Sequence, residues 1–476
     1  MRDSWEPKPG DKVVRHPRQA ELNPVRVTVT TRKVPSKALA SPLILIYAFA
    51  GLIILGTLLL LLPFTHHGDG FTPFMTALFT STSAVTLTGL IIQDTATYWT
   101  RIGQALILCL MFIGGLGFMT IATFLLVLIG QRVTLAQRIL VKESLGVNQL
   151  GGLVRLTVGI VTVASAIQLC GFVLLLARFW FLFEPEEAIW QAIFHAVSGF
   201  NNAGFVALTG ANGLADFKDD KVVLGVLAIL IILGSLGYAV MIDIVRYRKF
   251  SLFTLNTKLV LVFTTTLLLV GMGSFLVSEY QNPQTLGLMS LDQKIMTSMF
   301  ESISGRTSGF STINFGATEQ QTNFLFSSLM FIGGASGSVA GGIKINTFAV
   351  VLVAIMSTLK GRRHASAFGR EIPQSQVQRA MVIGSVSTAF VFLIALLLNF
   401  SEKEFQFIDL FFEGVSAAGT VGLSTGLTPL ISSWGHLILI TAMFVGRIGP
   451  VTLGLAMAQR LEMDTYRYAQ ERVTIG

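Results

Sequence analysis

Four short polar runs recur at near-even spacing along the chain. They read Thr86-Leu87-Thr88-Gly89-Leu90, Asn201-Asn202-Ala203-Gly204-Phe205, Arg306-Thr307-Ser308-Gly309-Phe310 and Gly419-Thr420-Val421-Gly422-Leu423. Each ends in glycine followed by a large apolar residue. Each is also preceded by a matched phenylalanine and serine: Phe79 and Ser83, Phe194 and Ser198, Phe300 and Ser304, Phe412 and Ser416. The glycine comes five or six residues after the serine. Such runs hold no paired carboxylates, no nucleophile beside a base and no metal-ligand set. What they offer is main chain. Glycine reaches backbone conformations closed to other residues, so carbonyls can be turned inward. Four such sets around one line could replace the hydration shell of a cation.

Other chemistries find little support. There is no phosphate-binding loop motif and no Ser/His/Asp constellation, so an enzyme is not expected. The six histidines are scattered and lack metal-ligand spacing. Cys109 and Cys170 both fall in apolar runs, which excludes a disulfide scaffold and a cysteine zinc site. The net charge of +8 comes from short basic clusters between apolar stretches, so nucleic-acid binding is a poor reading of it.

The elements that must carry the runs follow from composition. Of 476 residues, 52% are hydrophobic and only 13% charged, about half the charge of a soluble domain. A bilayer-crossing helix needs about 20 apolar residues. Eight stretches qualify: 41–64, 102–130, 153–183, 221–245, 257–278, 323–358, 377–400 and 434–459. Between them lie shorter apolar stretches near 71–85, 188–200, 292–304 and 405–417. These are too short to cross and fit re-entrant half-helices. The order long, short, long repeats four times. In lipid, each unpaired backbone group of a re-entrant loop would cost several kcal/mol, so the loops must be buried in protein or face water.

Lys and Arg crowd the first forty residues and segments 131–155, 246–258, 359–379 and 460–476. Acids such as Glu184, Glu186, Glu187, Asp219, Asp220, Glu402 and Glu404 dominate the opposite side. By the positive-inside rule both termini are cytoplasmic, consistent with eight crossings. Topology alone accounts for the inner basic excess; the outer acidic excess would also concentrate cations at the entrance. Segment 1–40 reads as a polar arm without a cleavable signal. The expected divisions are repeats at 41–130, 153–245, 257–358 and 377–459, with cytoplasmic loops 131–152, 246–256 and 359–376 and a tail 460–476.

Past each run comes a second glycine cluster: 112–118, 232–238, 331–337 and 444–450. Singly, such glycines mark close helix packing. The third continues to Lys344 with five glycines in fourteen residues, each costing a helix roughly 1 kcal/mol. A continuous helix is not expected there; the segment is either a kinked packing surface or a switchable loop. Arg447 sits mid-span, where an isolated cation is costly; it serves either a structural ion pair or the pore. Lys344 is near enough to the cytoplasmic end to snorkel. Arg306 is expected to brace its loop through Glu301 or Glu413. His195 is expected to be a buried histidine in the second short helix, and Asp243 to pair with Arg246.

With these runs and the Gly446-Arg447-Ile448-Gly449-Pro450 segment in hand, the chain from about residue 40 onward resembles the Trk/Ktr/HKT superfamily of potassium transporters. Within it, the resemblance is to the membrane subunit (KtrB type) of bacterial Ktr potassium uptake systems. It implies an all-α membrane protein: four helix–pore-loop–helix repeats, eight transmembrane helices, in pseudo-fourfold arrangement around a central pore. It implies a potassium filter of backbone carbonyls from Thr86, Leu87, Thr88 and Gly89; Asn202, Ala203 and Gly204; Thr307, Ser308 and Gly309; and Thr420, Val421 and Gly422. The fourth run comes nearest to the fuller Thr-Val-Gly-Tyr-Gly motif. In plant relatives a serine in place of the first filter glycine goes with sodium preference, and here that position is Gly89. The resemblance also implies an intramembrane gate made by Gly333, Gly334, Gly337, Gly341, Gly342 and Lys344 with Arg447. It further implies a homodimer in a bacterial plasma membrane. Its cytosolic partner would be an RCK-type ring (KtrA type) that binds ATP or ADP, since this chain carries no nucleotide domain of its own. Some relatives are stimulated by Na+, and no residue here decides that point.

Two rival functions remain at the level of sequence. A sodium-coupled transporter would place broken helices at a midplane site, usually with twofold inverted repeats. A membrane anchor for a signalling complex would leave the four aligned glycines unexplained.

Overall fold

In the computed structural model of the chain, residues 43–117, 153–208 and 213–449 are described. The expected arm 1–40, loop 131–152 and tail 460–476 lie outside them. So do residues 118–130 and 450–459, the far ends of the expected first and last inner spans.

The described chain is helical apart from one small hairpin. Four times it lays down an outer helix, a short helix and an inner helix. The first unit holds α1 (Leu43–Leu60), α2 (Phe74–Thr86) and α3 (Arg101–Leu116). The second holds α4 (Leu153–Phe179), α5 (Pro185–Phe200) and an inner helix in two pieces, α6 (Lys221–Leu236) and α7 (Tyr238–Tyr247). The third holds α8 (Leu255–Glu279), α9 (Leu291–Thr307) and the pair α10 (Gln320–Met330) and α11 (Ile345–Leu359). Strands β1 (Ser366–Ala367) and β2 (Arg370–Glu371) then form the hairpin. The fourth unit holds α12 (Gln374–Ser401), α13 (Phe407–Gly419) and α14 (Ser433–Ile448).

Among the described residues, α4, α8 and α12 are long and apolar enough to cross a membrane, and α6 with α7 forms a broken span bent by 99°. The sequence suggests one continuous inner span over 221–245; the structure breaks it. The cause is Gly237, at φ +78° and ψ 145°, a conformation no helix can pass through. Gly117 ends α3 at φ +78° and ψ 130°, and Gly449 ends α14 at φ +92° and ψ 128°. Three inner helices thus stop on the same glycine geometry.

Packing runs in a cycle. Each inner helix packs on the short helix of the next unit: α3 on α5, α6 on α9, α10 on α13, and α14 back on α2. The cores sit across these seams. One joins Phe179, Phe200 and Leu227 to Phe300 and Phe310 of the following unit. Another joins Phe326, Phe412 and Met443 to Phe79 and Leu90 of the first. Outside, a polar link repeats at the starts of the inner helices. Arg101 pairs with Glu187, Lys221 with Asp292 at 2.6 Å, and Gln320 with Gln406 at 2.9 Å.

Candidate functional site

Each short helix ends by bending its chain into one of the polar runs, and the bend has one design. The main-chain carbonyl of the matched serine accepts a hydrogen bond from the N–H five residues on. The four bonds are Thr88 N to Ser83 O (2.8 Å), Ala203 N to Ser198 O (2.9 Å), Gly309 N to Ser304 O (3.1 Å) and Val421 N to Ser416 O (2.9 Å). In the first, second and fourth runs the donor is the residue before the glycine; in the third it is the glycine itself. The third run is therefore one residue shorter, which is the five-against-six difference in the sequence. The extra residue elsewhere is absorbed by a left-handed turn two places before the glycine: Leu87 at φ 61°, Asn202 at φ 54° and Thr420 at φ 50°. Non-glycine residues hold that conformation at a cost of about 1–2 kcal/mol each. The helix ends are therefore held by their surroundings and not by preference.

The four terminal glycines meet. All have positive φ: +85° at Gly89, +70° at Gly204, +78° at Gly309 and +98° at Gly422. A methyl group added to Gly89 would overlap the carbonyl oxygen of Ala203, and one on Gly204 that of Ser308. One on Gly309 would overlap Val421, and one on Gly422 would overlap Thr88. Each oxygen belongs to the residue just before the next unit's glycine. All thirteen residues expected at the candidate filter are thus carried by runs that touch in cyclic order. Several buried polar atoms without a protein partner gather here: the hydroxyls of Ser83, Ser304, Ser308 and Thr420, and Asn202 Nδ2.

The second glycine clusters explain the close approach. Gly114 faces the carbonyl of Val85, Gly234 that of Phe200, and Gly446 that of Ala418, each with no room for a side chain. The inner helices therefore press directly on the ends of the short helices. Gly333, at the matching place in the third unit, faces the carbonyl of Gly341, only eight residues further on, instead of a short-helix end. There the segment 331–344 leaves the helix and forms a loop beneath the ring. It is closed at its base by Gly333 N to Ile343 O (2.9 Å) and Ile343 N to Phe331 O (3.3 Å). Its tip docks on the second unit: Ala335 N donates to Ser235 O at 2.8 Å and Val339 N to Gly234 O at 3.3 Å. Those acceptors are available because the break at Gly237 ends α6 there. Gly341 lies against the hydroxyl of Thr420 in the ring.

Arg447 bridges this loop to the first unit. Its Nη1 donates to the carbonyl of Val339 and its Nη2 to Gly114 O at 2.7 Å. Both partners are main chain, and among the described residues no carboxylate pairs with it. Lys344 donates to Ala340 O within the loop.

Two expectations are corrected. Arg306 is buried and pairs with neither Glu301 nor Glu413; its Nε and Nη1 have no partner. The two carboxylates are engaged by Thr312 and by Ser424, Thr425 and Thr428. Asp243 does not pair with Arg246. It accepts from the N–H and hydroxyl of Thr254, both at 3.0 Å, at the start of α8, while Arg246 lies over the Tyr247 ring at 5.3 Å. His195 is fully buried, as expected, with Nδ1 on Gln191 O at 2.8 Å and Nε2 unpartnered. Sequence reasoning missed the roles of Gly234 and Ser235, because a docking carbonyl leaves no trace in residue type.

Residues 25–468 match the TrkH family model, described as cation transport protein. The chain is 36% identical to the Ktr system potassium uptake protein B of Bacillus subtilis (strain 168), over 91% of this chain and 96% of that protein. It is 38% identical to the potassium/sodium uptake protein NtpJ of Enterococcus hirae, over 92% of this chain and 97% of that one. Among solved structures, the potassium transporter TrkH from Vibrio parahaemolyticus is similar with a TM-score of 0.68 at 17% identity, covering 89% of this chain and 86% of that chain.

Proposed function

The chain belongs to the TrkH family of cation transport proteins, and on that footing we propose that it is the ion-translocating subunit of a potassium uptake system. It is a helical multi-pass membrane protein and a transporter, not an enzyme. The observation that carries the potassium reading is the cyclic meeting of four carbonyl-bearing runs at Gly89, Gly204, Gly309 and Gly422.

Eight crossings bring the four runs together around a central pore with pseudo-fourfold symmetry, and both termini lie in the cytoplasm of a bacterial cell. The cyclic packing of inner on short helices supports this arrangement. Carbonyls of the thirteen filter residues replace the water around K+. The membrane potential supplies about 2.3 kcal/mol per charge per 100 mV, so inward flux needs no ATP-hydrolysing site. The loop 331–344 and Arg447 form the gate beneath the filter. Support for this comes from the loop's position against Thr420 and its dependence on main-chain hydrogen bonds. The subunit works as a homodimer on a cytosolic nucleotide-binding ring of RCK type. Relatives named as parts of Ktr systems support a multi-subunit assembly. The name of the Enterococcus relative keeps Na+ in view as a stimulating or carried ion.

Rubidium uptake into proteoliposomes under an imposed potential tests the reading. Saturable uptake that K+ competes for, and excess Na+ competes for poorly, is expected. A fixed stoichiometric Na+ requirement would replace it with coupled transport, and absence of any flux with an anchoring role.

A further inference from the structure

After its glycine each run rises away from the ring, and three of the four are tied back to their own short helix at the same step. In the third unit the tie is Glu301. Its Oε1 accepts from the N–H of Thr312 at 2.7 Å and from the Thr312 hydroxyl at 2.8 Å. In the fourth it is Glu413. Oε1 accepts from Thr425 N at 2.9 Å and from the Ser424 hydroxyl at 2.6 Å, and Oε2 takes the Thr428 hydroxyl at 2.6 Å. In the second unit the polarity is reversed: Gln191 Nε2 donates to the carbonyl of Ala207 at 2.6 Å. Thr312, Thr425 and Ala207 each lie three residues past the glycine of their run. In the first unit the matching residue is Ile92. Among the described residues no hydrogen bond joins it to α2. The position that holds glutamate in the later units, just after the phenylalanine, is Thr80, with a buried hydroxyl that has no partner.

Both glutamates are buried, at 0% and 1% exposure. A carboxylate in such a place is costly unless its oxygens are taken up by donors, and charge-assisted bonds to N–H and hydroxyl are the strong kind. Their donors here are backbone and hydroxyls of the strand that leaves the ring, three residues from the glycine. That strand cannot shift without breaking them. If it stays, the carbonyls beside Gly309 and Gly422 stay too.

We propose that Glu301 and Glu413 are positioning residues for the transported cation: they anchor the outer ends of the third and fourth runs and so fix the ring's diameter on that side. The first run, without such a tie, is the quarter that yields. The inference rests on the potassium-transport reading given above. Gln191 does the same for the second run through a neutral bond and holds it more weakly. Glu413, with both oxygens engaged, holds harder than Glu301, whose Oε2 has no partner.

The test is 86Rb+ uptake into proteoliposomes, measured as KM, Vmax and inhibition by Na+, for the wild-type chain and for Glu413→Gln, Glu301→Gln and Thr428→Val. Glu413→Gln keeps the shape but removes the charge. It is expected to raise KM for Rb+ about tenfold, the size of a lost charge-assisted bond, and to let Na+ compete. Glu301→Gln should move both quantities less, and Thr428→Val less again in the same direction. Should Glu413→Gln fail to accumulate, Thr428→Val and Ser424→Ala test the same tie. Variants that lower only Vmax, in step with the amount of folded protein, with KM and Na+ inhibition unchanged, would overturn the proposal and leave the transport reading standing. A wild-type chain without Rb+ uptake would overturn both.

Discussion

The faces above and below the glycine ring are built from different bonds. Above it, carboxylates grip the departing strands at Thr312 and Thr425, and charged or amide pairs link one unit to the next at Arg101–Glu187, Lys221–Asp292 and Gln320–Gln406. Below it, the loop 331–344 is held by main-chain hydrogen bonds to Gly234 and Ser235 and by Arg447 on the carbonyls of Val339 and Gly114. Among the described residues no carboxylate pairs with Arg447 or Lys344. Buried charge-assisted bonds are strong and leave an expensive orphan when broken. A main-chain bond between a loop and a helix end can be exchanged for one to water or to the helix itself. The contrast is between buried carboxylates that hold the departing strands above and, below, a loop held by main-chain bonds and by two cations that sit on carbonyls.

The largest effect expected is at the ring itself. Gly422→Ala places a methyl on the carbonyl of Thr88 and holds alanine at φ +98°; Rb+ uptake should fall to background in protein that still elutes as the wild-type species on gel filtration. Uptake that survives would separate Gly422 from the ion path. Next is the lower face. Arg447→Gln removes the bridge from loop to α3, and uptake without any regulatory subunit should rise severalfold. An unchanged flux at normal expression would mean the lower face is as fixed as the upper. Gly89→Ser, in the run without a strand tie, should cost discrimination between K+ and Na+ more than it costs rate, read as the ratio of the two competing against Rb+. Equal discrimination before and after would remove the first run from the filter. Smallest is Arg101→Gln. It breaks a pair that is half exposed on the arginine side and is worth less than about 1 kcal/mol. Melting should shift by about a degree or two, with no change in selectivity.

Much of this is legible in the sequence. The four runs, their glycines and the matched phenylalanines and serines lie in the sequence at offsets that agree to within one residue, and the structure brings their runs into contact. The weak point for a continuous helix at 331–344 was legible because glycine is penalised per residue. The break at Gly237 was not, since α6 and α7 together read as one apolar span. Nor was the partner of Arg447. A cation in an apolar helix suggests a carboxylate, whereas here it is served by two carbonyls that no residue type announces. Residue type alone offers Glu301 or Glu413 as the brace for Arg306. The carboxylates turned instead to the hydroxyl and N–H donors of Thr312, Ser424, Thr425 and Thr428, and left the arginine unpaired.

The cyclic seam has a consequence for biosynthesis. Gly422 closes on Thr88, so the last unit to leave the ribosome completes a circuit begun by the first. A nascent chain bearing only the first three units lacks the partners that Gly309 and Thr88 meet in the fourth, so the ring stays open until that unit folds in.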